Sequence, residues 1–310
     1  MLPLKVAIAN GYWKEAGLEP TFLYFAASVP QMKANADWDV GMTGATPALL
    51  GAKEFDIITV GVAADISKTN VLMAPKAFVE KIYASRSIPK GTRIALTPNS
   101  TVDYAVQTCL ALWGGNNKTD MVLKGGSQAD VIKAGADGEA DVVGLWTPNI
   151  YVMQEKHGFV RFCSGKDFSS GIFGAIVAKR EYATANPQAV AKFLAVISRA
   201  VNWMAANPEK AQALHISTAA LDKITVSASA AKNDYSEHVM FNLKQQLQSM
   251  GADTVGVNES QAGRSFFSIN VFLNEGKQGS RTLKPISFMD ASYLKIANDD
   301  PTLKKIANSN

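Results

Sequence analysis

Two successive runs of alternating helix-like and strand-like segments constrain this chain more than any other feature. In the first, Pro3 to Ala16 repeats apolar residues at helical spacing (Leu4, Ala7, Ile8, Tyr12) and meets a stop at Gly17. "LEPTFLYFA" then reads as a strand, and "SVPQMKANA" as a helix with Ser28 and Pro30 at its start. "WDVGMTG" reads as a short strand, "TPALLGAKE" as a helix, and "FDIITVGVAA" and "TNVLMAP" as strands. The unbroken apolar run in "FDIITVGVAA" asks for burial on both faces. After "SIPKGT" the alternation restarts: "RIALT", "DMVLKG" and "ADVVGLW" are strands, with helices "PNSTVDYAVQTCLALWG" and "SQADVIKAGADGE" between them. "GIFGAIVAKREY" reads as a long strand. The remainder is helical, with Asn186-Pro187 and Asn207-Pro208 marking two helix starts.

Helices alternating with strands predict an α/β fold, each lobe a mainly parallel sheet flanked by helices. Two runs with their own turn signals predict two lobes. Strands around Val71 and Ile176 stand where the chain would leave the first lobe and return to it. The expected division is therefore lobe I at 1–75 and 176–310 and lobe II at 86–170, with hinge strands near 71–85 and 170–178. Two covalent crossings make a hinge, and a hinge between α/β lobes makes a cleft.

The chain has 310 residues, 47% of them hydrophobic, enough for a large core. Net charge is +4 with no block of Lys or Arg, which argues against a nucleic-acid partner. Cys109 lies in an apolar helical stretch and Cys163 follows a strand-like run. Two buried free thiols are expected in preference to a disulfide. No run of about 18 apolar residues suggests a transmembrane helix, and "MLPLKVAIANGYWKEAG" reads as the first helix of a domain, not as a signal peptide.

Catalytic and metal signals are weak. His157, His215 and His238 are scattered, without zinc-ligand spacing, and are expected at the surface. There is no G-x-S-x-G elbow, P-loop or G-x-G-x-x-G, and "KGGS" lacks the Walker spacing. The acceptor motifs at Asn117 and Asn258 read as chance. No catalytic residue, metal or cofactor is expected.

The strand ends share another chemistry. Five of them run into small, hydroxyl-bearing corners before a helix start: Ser28 to Gln31, Thr43-Gly44-Ala45-Thr46-Pro47, Pro98-Asn99-Ser100-Thr101, Gly126-Ser127-Gln128 and Thr147-Pro148-Asn149. A helix start leaves about four backbone N–H groups unpaired and carries partial positive charge. Several such starts together would bind an anion or a strongly polar group without any charged side chain. Each corner taken singly is better explained by capping alone, and it is five of the same kind that bring ligand contact level with it. Trp146 could wall a pocket. Asp65 and Asp103 lie near strand ends and could pair with an ammonium, although a solvated carboxylate is the simpler account.

Taken in order, "VAIANGYWKEAGLEP", "SVPQMKANADWDVGMTGATPALLGA", "IALTPNSTVDYAVQTCLALWG", "ADVVGLWTPNIYV", "NPQAVAKFLAVISRAVNWMAANPEKA" and "FMDASYLKIA" resemble the periplasmic solute-binding proteins of ABC importers. The most similar group is the one for sulfonates, taurine, nitrate and thiamine-pyrimidine precursors, with the type II periplasmic-binding fold. The resemblance implies two lobes, a ligand in the cleft, closure on binding and no covalent chemistry. It implies an ABC permease and ATPase as partners, a monomer, and a periplasmic or lipid-anchored extracellular location. It also implies ligand contacts at Ser28, Gln31, Gly44, Ala45, Thr46, Ala64, Asp65, Asn99, Ser100, Thr101, Asp103, Trp146, Thr147, Ser170 and Phe173. Family members open on a strand before the first helix, whereas this sequence opens on the helix. The hydroxyl and N–H content favours a sulfonate-like oxyanion; Trp146 and Phe173 leave room for a flat ring.

Two other classes compete with an import receptor. Pyrimidine-precursor synthases resemble the same family and use a histidine in the cleft, but no histidine here falls on a corner. A ligand-sensing domain would need an output module, and none is visible.

Overall fold

The computed structural model describes residues 2–25, 27–115, 121–168, 171–221, 224–274 and 282–309, the side chains of 218–221 excepted. The strands among them are β1 (Val40–Thr43), β2 (Ile57–Asp65), β3 (Asn70–Pro75), β4 (Thr92–Leu96), β5 (Met121–Gly125), β6 (Val142–Trp146), β7 (Phe159–Ser164), β8 (Phe173–Lys179) and β9 (Val239–Met240). The fold class is the α/β class expected. The chain forms two compact units: Met1–Asp65, Ile172–His215 and Val239–Asn310 in one, Ile66–Gly171 and Ile216–His238 in the other. The strand around Val71 therefore lies in the second unit's sheet, and the strand around Ile176 in the first unit's. Segment 216–238, read from sequence as part of the first lobe, packs with the second unit.

The first unit's sheet has the order β1-β8-β2-β9. β2 and β8 are buried along almost their whole length, which accounts for their unbroken apolar sequences. β1 and β2 run parallel to each other, but β8 lies between them antiparallel to both. Every ladder in this sheet is thus antiparallel among the described residues, which corrects the mainly parallel pairing expected here. Sequence patterning reports which segments are strands, not the direction from which a later strand enters. Residues 21–25 of "TFLYFA" are also not a strand among the described residues, and Leu23 and Tyr24 are about half exposed.

By length and composition the helix Pro187–Ala206 could cross a membrane, contrary to the expectation that no segment would. It buries Val190, Leu194, Ile197, Ala200, Val201 and Met204 inside the first unit. Ser198, on the same buried face, donates from Oγ to Ala307 O at 2.9 Å and accepts from Leu243 N at 2.8 Å. One hydroxyl thereby ties this helix to the helices Leu243–Ser249 and Pro301–Asn308. Ser198→Ala leaves the Leu243 N–H buried without its partner, and should cost about 1–2 kcal/mol of unfolding free energy in urea titration.

The second unit's sheet has the order β5-β4-β6-β3-β7. β4 is parallel to β5 and β6, as expected, and β3 is antiparallel to β6 and β7. Cys109, on the helix Thr101–Leu112, is disulfide-bonded to Cys163 on β7. This replaces the two free thiols expected. The helix lies over the sheet with Cys109 turned toward β7, and a separation of 54 residues gave no local sign of the pairing.

Candidate functional site

In the first unit, register fixes which corners share an end of the sheet. Thr43 lies opposite Ala175 and Asp65 opposite Phe173, so the ends of β1 and β2 and the start of β8 fall together. Gly44, Ala45, Thr46, Ala64, Asp65 and Phe173 are at this end. Gly44 is the N-cap of the helix Ala45–Glu54, extended at φ −77° and ψ 164°, and no side chain caps the helix. Thr46 is fully buried, and its Oγ1 has no hydrogen-bond partner among the described residues; the same holds for Thr43 Oγ1. Ala64 is buried, and Asp65 lies opposite both Phe173 and Val239. Phe173 is almost fully buried and packs against Phe241, ring centroids 5.9 Å apart, so its ring belongs to the core of this unit.

The corner Ser28 to Gln31 opens the short helix Ser28–Lys33, again without a side-chain cap. Gln31 is buried. Its carbonyl accepts from Trp38 Nε1 at 2.9 Å, and its amide lies over Gly41, where an added Cβ would stand 2.6 Å from Nε2. A glycine at 41 is what allows Gln31 to pack on β1. Ser28 is half-buried.

In the second unit, β4, β5 and β6 end, and β3 begins, at one end of the sheet. Asn99 takes a left-handed φ of 57°, a conformation asparagine tolerates better than most residues. Its N–H donates to Asp103 Oδ2 at 2.8 Å, and Gln107 Nε2 donates to Asp103 Oδ1 at 3.2 Å. Ser100 Oγ donates to Thr97 O and accepts from Asp103 N–H. Asp103 is therefore engaged in closing the start of the helix Thr101–Leu112. Burial raises its pKa above the ordinary carboxylate value, and the bonds from Asn99 and Gln107 offset part of that rise. Thr101 is buried, and its Oγ1 has no partner among the described residues.

Gln128, in the corner Gly126-Ser127-Gln128, joins two strand ends. Its Nε2 donates to Thr97 Oγ1 at 3.0 Å and its Oε1 accepts from Trp146 N–H at 3.1 Å, so one amide ties the end of β4 to the end of β6. Trp146 is half-buried and packs against the core around Val102, Val106 and Phe162. Thr147 donates its N–H to Thr69 O at 3.3 Å and precedes Pro148 in a cis peptide. Ser170 lies outside the described residues.

The structure also brings His238 to a corner, contrary to the expectation that no histidine falls on one. Its Nε2 is 3.4 Å from Thr147 Oγ1, and its Nδ1 is 3.0 Å from Asp234 Oδ1. Ninety-one residues separate His238 from Thr147, which hid the pair from any reading of spacing. Beside it, Glu237 accepts from Tyr151 OH at 2.9 Å and from Arg161 Nη1 at 2.7 and 2.8 Å. Burial raises the Tyr151 hydroxyl well above its ordinary pKa.

Against known proteins, the family described as NMT1/THI5-like matches residues 1–211. A protein of Brucella abortus (strain 2308), named as a candidate binding protein, is 24% identical over 230 residues, 73% of this chain and 70% of its own. Among solved structures, the alkanesulfonate-binding protein of Xanthomonas axonopodis pv. citri, bound to MOPS, superposes with a TM-score of 0.74 at 16% identity. That match covers 94% of each chain. The periplasmic nitrate-binding protein of Synechocystis PCC 6803 gives a TM-score of 0.73 at 11% identity, over 99% of this chain and 88% of its own. The architecture is that of the periplasmic binding proteins of type II fold. With more than half of its length matched by one family, the chain belongs to the NMT1/THI5-like family.

Proposed function

We propose that this protein captures a small polar or anionic organic solute, sulfonate-like or a comparable oxyanion, and delivers it unchanged to an ABC import permease and its ATPase. The observation that carries this reading is the set of buried threonine hydroxyls at helix-starting corners, Thr43 and Thr46 in one unit and Thr101 in the other, without partners among the described residues. A buried hydroxyl without a partner costs free energy, and a ligand oxygen offsets that cost. Together with the first N–H groups of the helices Ala45–Glu54 and Thr101–Leu112, these hydroxyls form donor sets for an oxyanion. Relatives named for alkanesulfonate and nitrate support the same ligand class.

The proposed location is periplasmic or extracellular and lipid-anchored, with the protein acting as a monomer. A disulfide suits a compartment that is oxidising. A pyrimidine precursor is the second ligand class, favoured by half-buried Trp146 at the end of β6.

Thermal unfolding in a panel of alkanesulfonates, nitrate, carboxylates and pyrimidines tests the reading. A ligand at a thousandfold excess over its Kd adds about 4 kcal/mol of stability. Mass spectrometry of the recovered ligand should find it unaltered. A panel that moves the midpoint nowhere overturns the proposal, and a converted ligand replaces it with an enzyme.

A further inference from the structure

His238 ends the helix-bearing segment Ile216–His238 of the second unit, and its side chain is 22% exposed. Nδ1 is 3.0 Å from the Asp234 backbone carbonyl, to which it is hydrogen-bonded, and 3.0 Å from Asp234 Oδ1. A carbonyl oxygen only accepts, so that bond places a hydrogen on Nδ1 in the neutral ring as in the charged one. Asp234 itself is 1% exposed, which makes it a fixed support and not a solvated charge. Nε2 faces the hydroxyl of Thr147, a half-buried corner residue, at 3.4 Å. In the neutral ring Nε2 accepts from that hydroxyl. In the charged ring it becomes a donor, and the hydroxyl is released to donate elsewhere.

We propose that His238 contacts the bound anion beside Thr147, with Asp234 as its positioning residue, so that capture of the solute takes up a proton. This deepens the binding reading above and rests on it. Asp234 and Glu237 come from the helix Ala228–Glu237, and Glu237 is held by Tyr151 from the helix Asn149–His157 and by Arg161 from β7. Lys68, exposed, comes from the turn Ser67–Thr69 that packs on the same helix. Asp65 lies opposite Val239, the next residue of the chain. Of these groups, Asp234 lies within 3.0 Å of the ring, through its backbone carbonyl and its Oδ1.

The sign follows from linkage. An anion favours the imidazolium, so affinity is greatest at low pH and falls as pH rises through the range in which imidazoles titrate. Ethanesulfonate is the probe, with nitrate where ethanesulfonate does not bind; neither titrates in this range, so any pH dependence belongs to the protein. Calorimetry between pH 5.5 and 8.5 should find binding weakened about tenfold at the high end, the scale of one charge-assisted hydrogen bond. The binding heat at pH 7 should differ between phosphate and Tris buffers by the amount that uptake of a fraction of a proton requires. In His238→Gln the pH slope and the buffer difference should both vanish while binding persists at the weaker level.

Binding that is independent of pH, or a slope that His238→Gln retains, overturns this proposal and leaves the solute-binding reading intact. No binding of either anion at pH 5.5 overturns both. If His238→Gln does not fold, the buffer comparison on the unaltered protein decides alone: equal heats overturn the proposal.

Discussion

Breaking the Cys109–Cys163 disulfide should lower the stability of this protein by about 4 kcal/mol. The bond closes a span of 54 residues, and the chain-entropy account of such a closure gives about that figure. The effect is concentrated in the second unit. Cys109 sits on the helix Thr101–Leu112 and Cys163 on β7, at the edge of the sheet, so the bond fastens a covering helix to its outermost strand. The same helix begins at the corner held by Asn99, Ser100 and Asp103. If that corner belongs to the ligand site, as proposed, loosening the helix's C-terminal half should weaken ligand binding as well as stability. The check is urea unfolding of oxidised protein, reduced protein and the Cys109→Ser/Cys163→Ser variant. Both altered forms should shift to lower midpoints by equal amounts. A double variant as stable as the oxidised protein would show that the bond adds nothing to the fold.

Fold class was legible because it depends on local pattern. "FDIITVGVAA" and "GIFGAIVAKREY" carry the apolar runs of strands buried on both faces, and those strands are β2 and β8. What failed was everything that depends on partners. β8 enters antiparallel between two parallel strands, and no residue in it encodes that direction. "TFLYFA" has strand composition, and its residues 21–25 form no strand among the described residues. Cys109 and Cys163 sit in ordinary apolar contexts and meet only because a helix folds over a sheet.

The corners show the same division. Small residues and hydroxyls after a strand announce a helix start, and Gly44, Ser100 and Ser127 are N-caps. Capping and ligand contact use the same residue types, so sequence could not separate them. Geometry begins to: Ser100 and Asp103 are engaged in the cap, whereas Thr46 and Thr101 keep hydroxyls without partners. Gln128 and His238 act through contacts with residues 18 and 91 positions away, beyond the reach of any motif.

That separation yields an opposed pair of effects at one position. Thr46→Val keeps the shape of the side chain and removes only the hydroxyl. In a residue that merely packs, or that caps a helix through its hydroxyl, the change would cost stability. Thr46 is fully buried, and its Oγ1 has no partner among the described residues, so its burial is a standing cost to the ligand-free protein. Replacing it with a methyl should raise unfolding free energy by about 1–3 kcal/mol, the desolvation cost of one such group. If the hydroxyl is held for a ligand oxygen, the same change should weaken binding by about 10- to 100-fold, the loss of one buried hydrogen bond. The two measurements are independent: thermal unfolding without ligand, and calorimetric titration with the best ligand of the panel. Higher stability with lower affinity assigns Thr46 to the site. Higher stability with unchanged affinity removes it, and makes its buried hydroxyl a defect of the fold. Lower stability would mean that the hydroxyl has a partner in solution, and the corner would then have to be explained by capping alone.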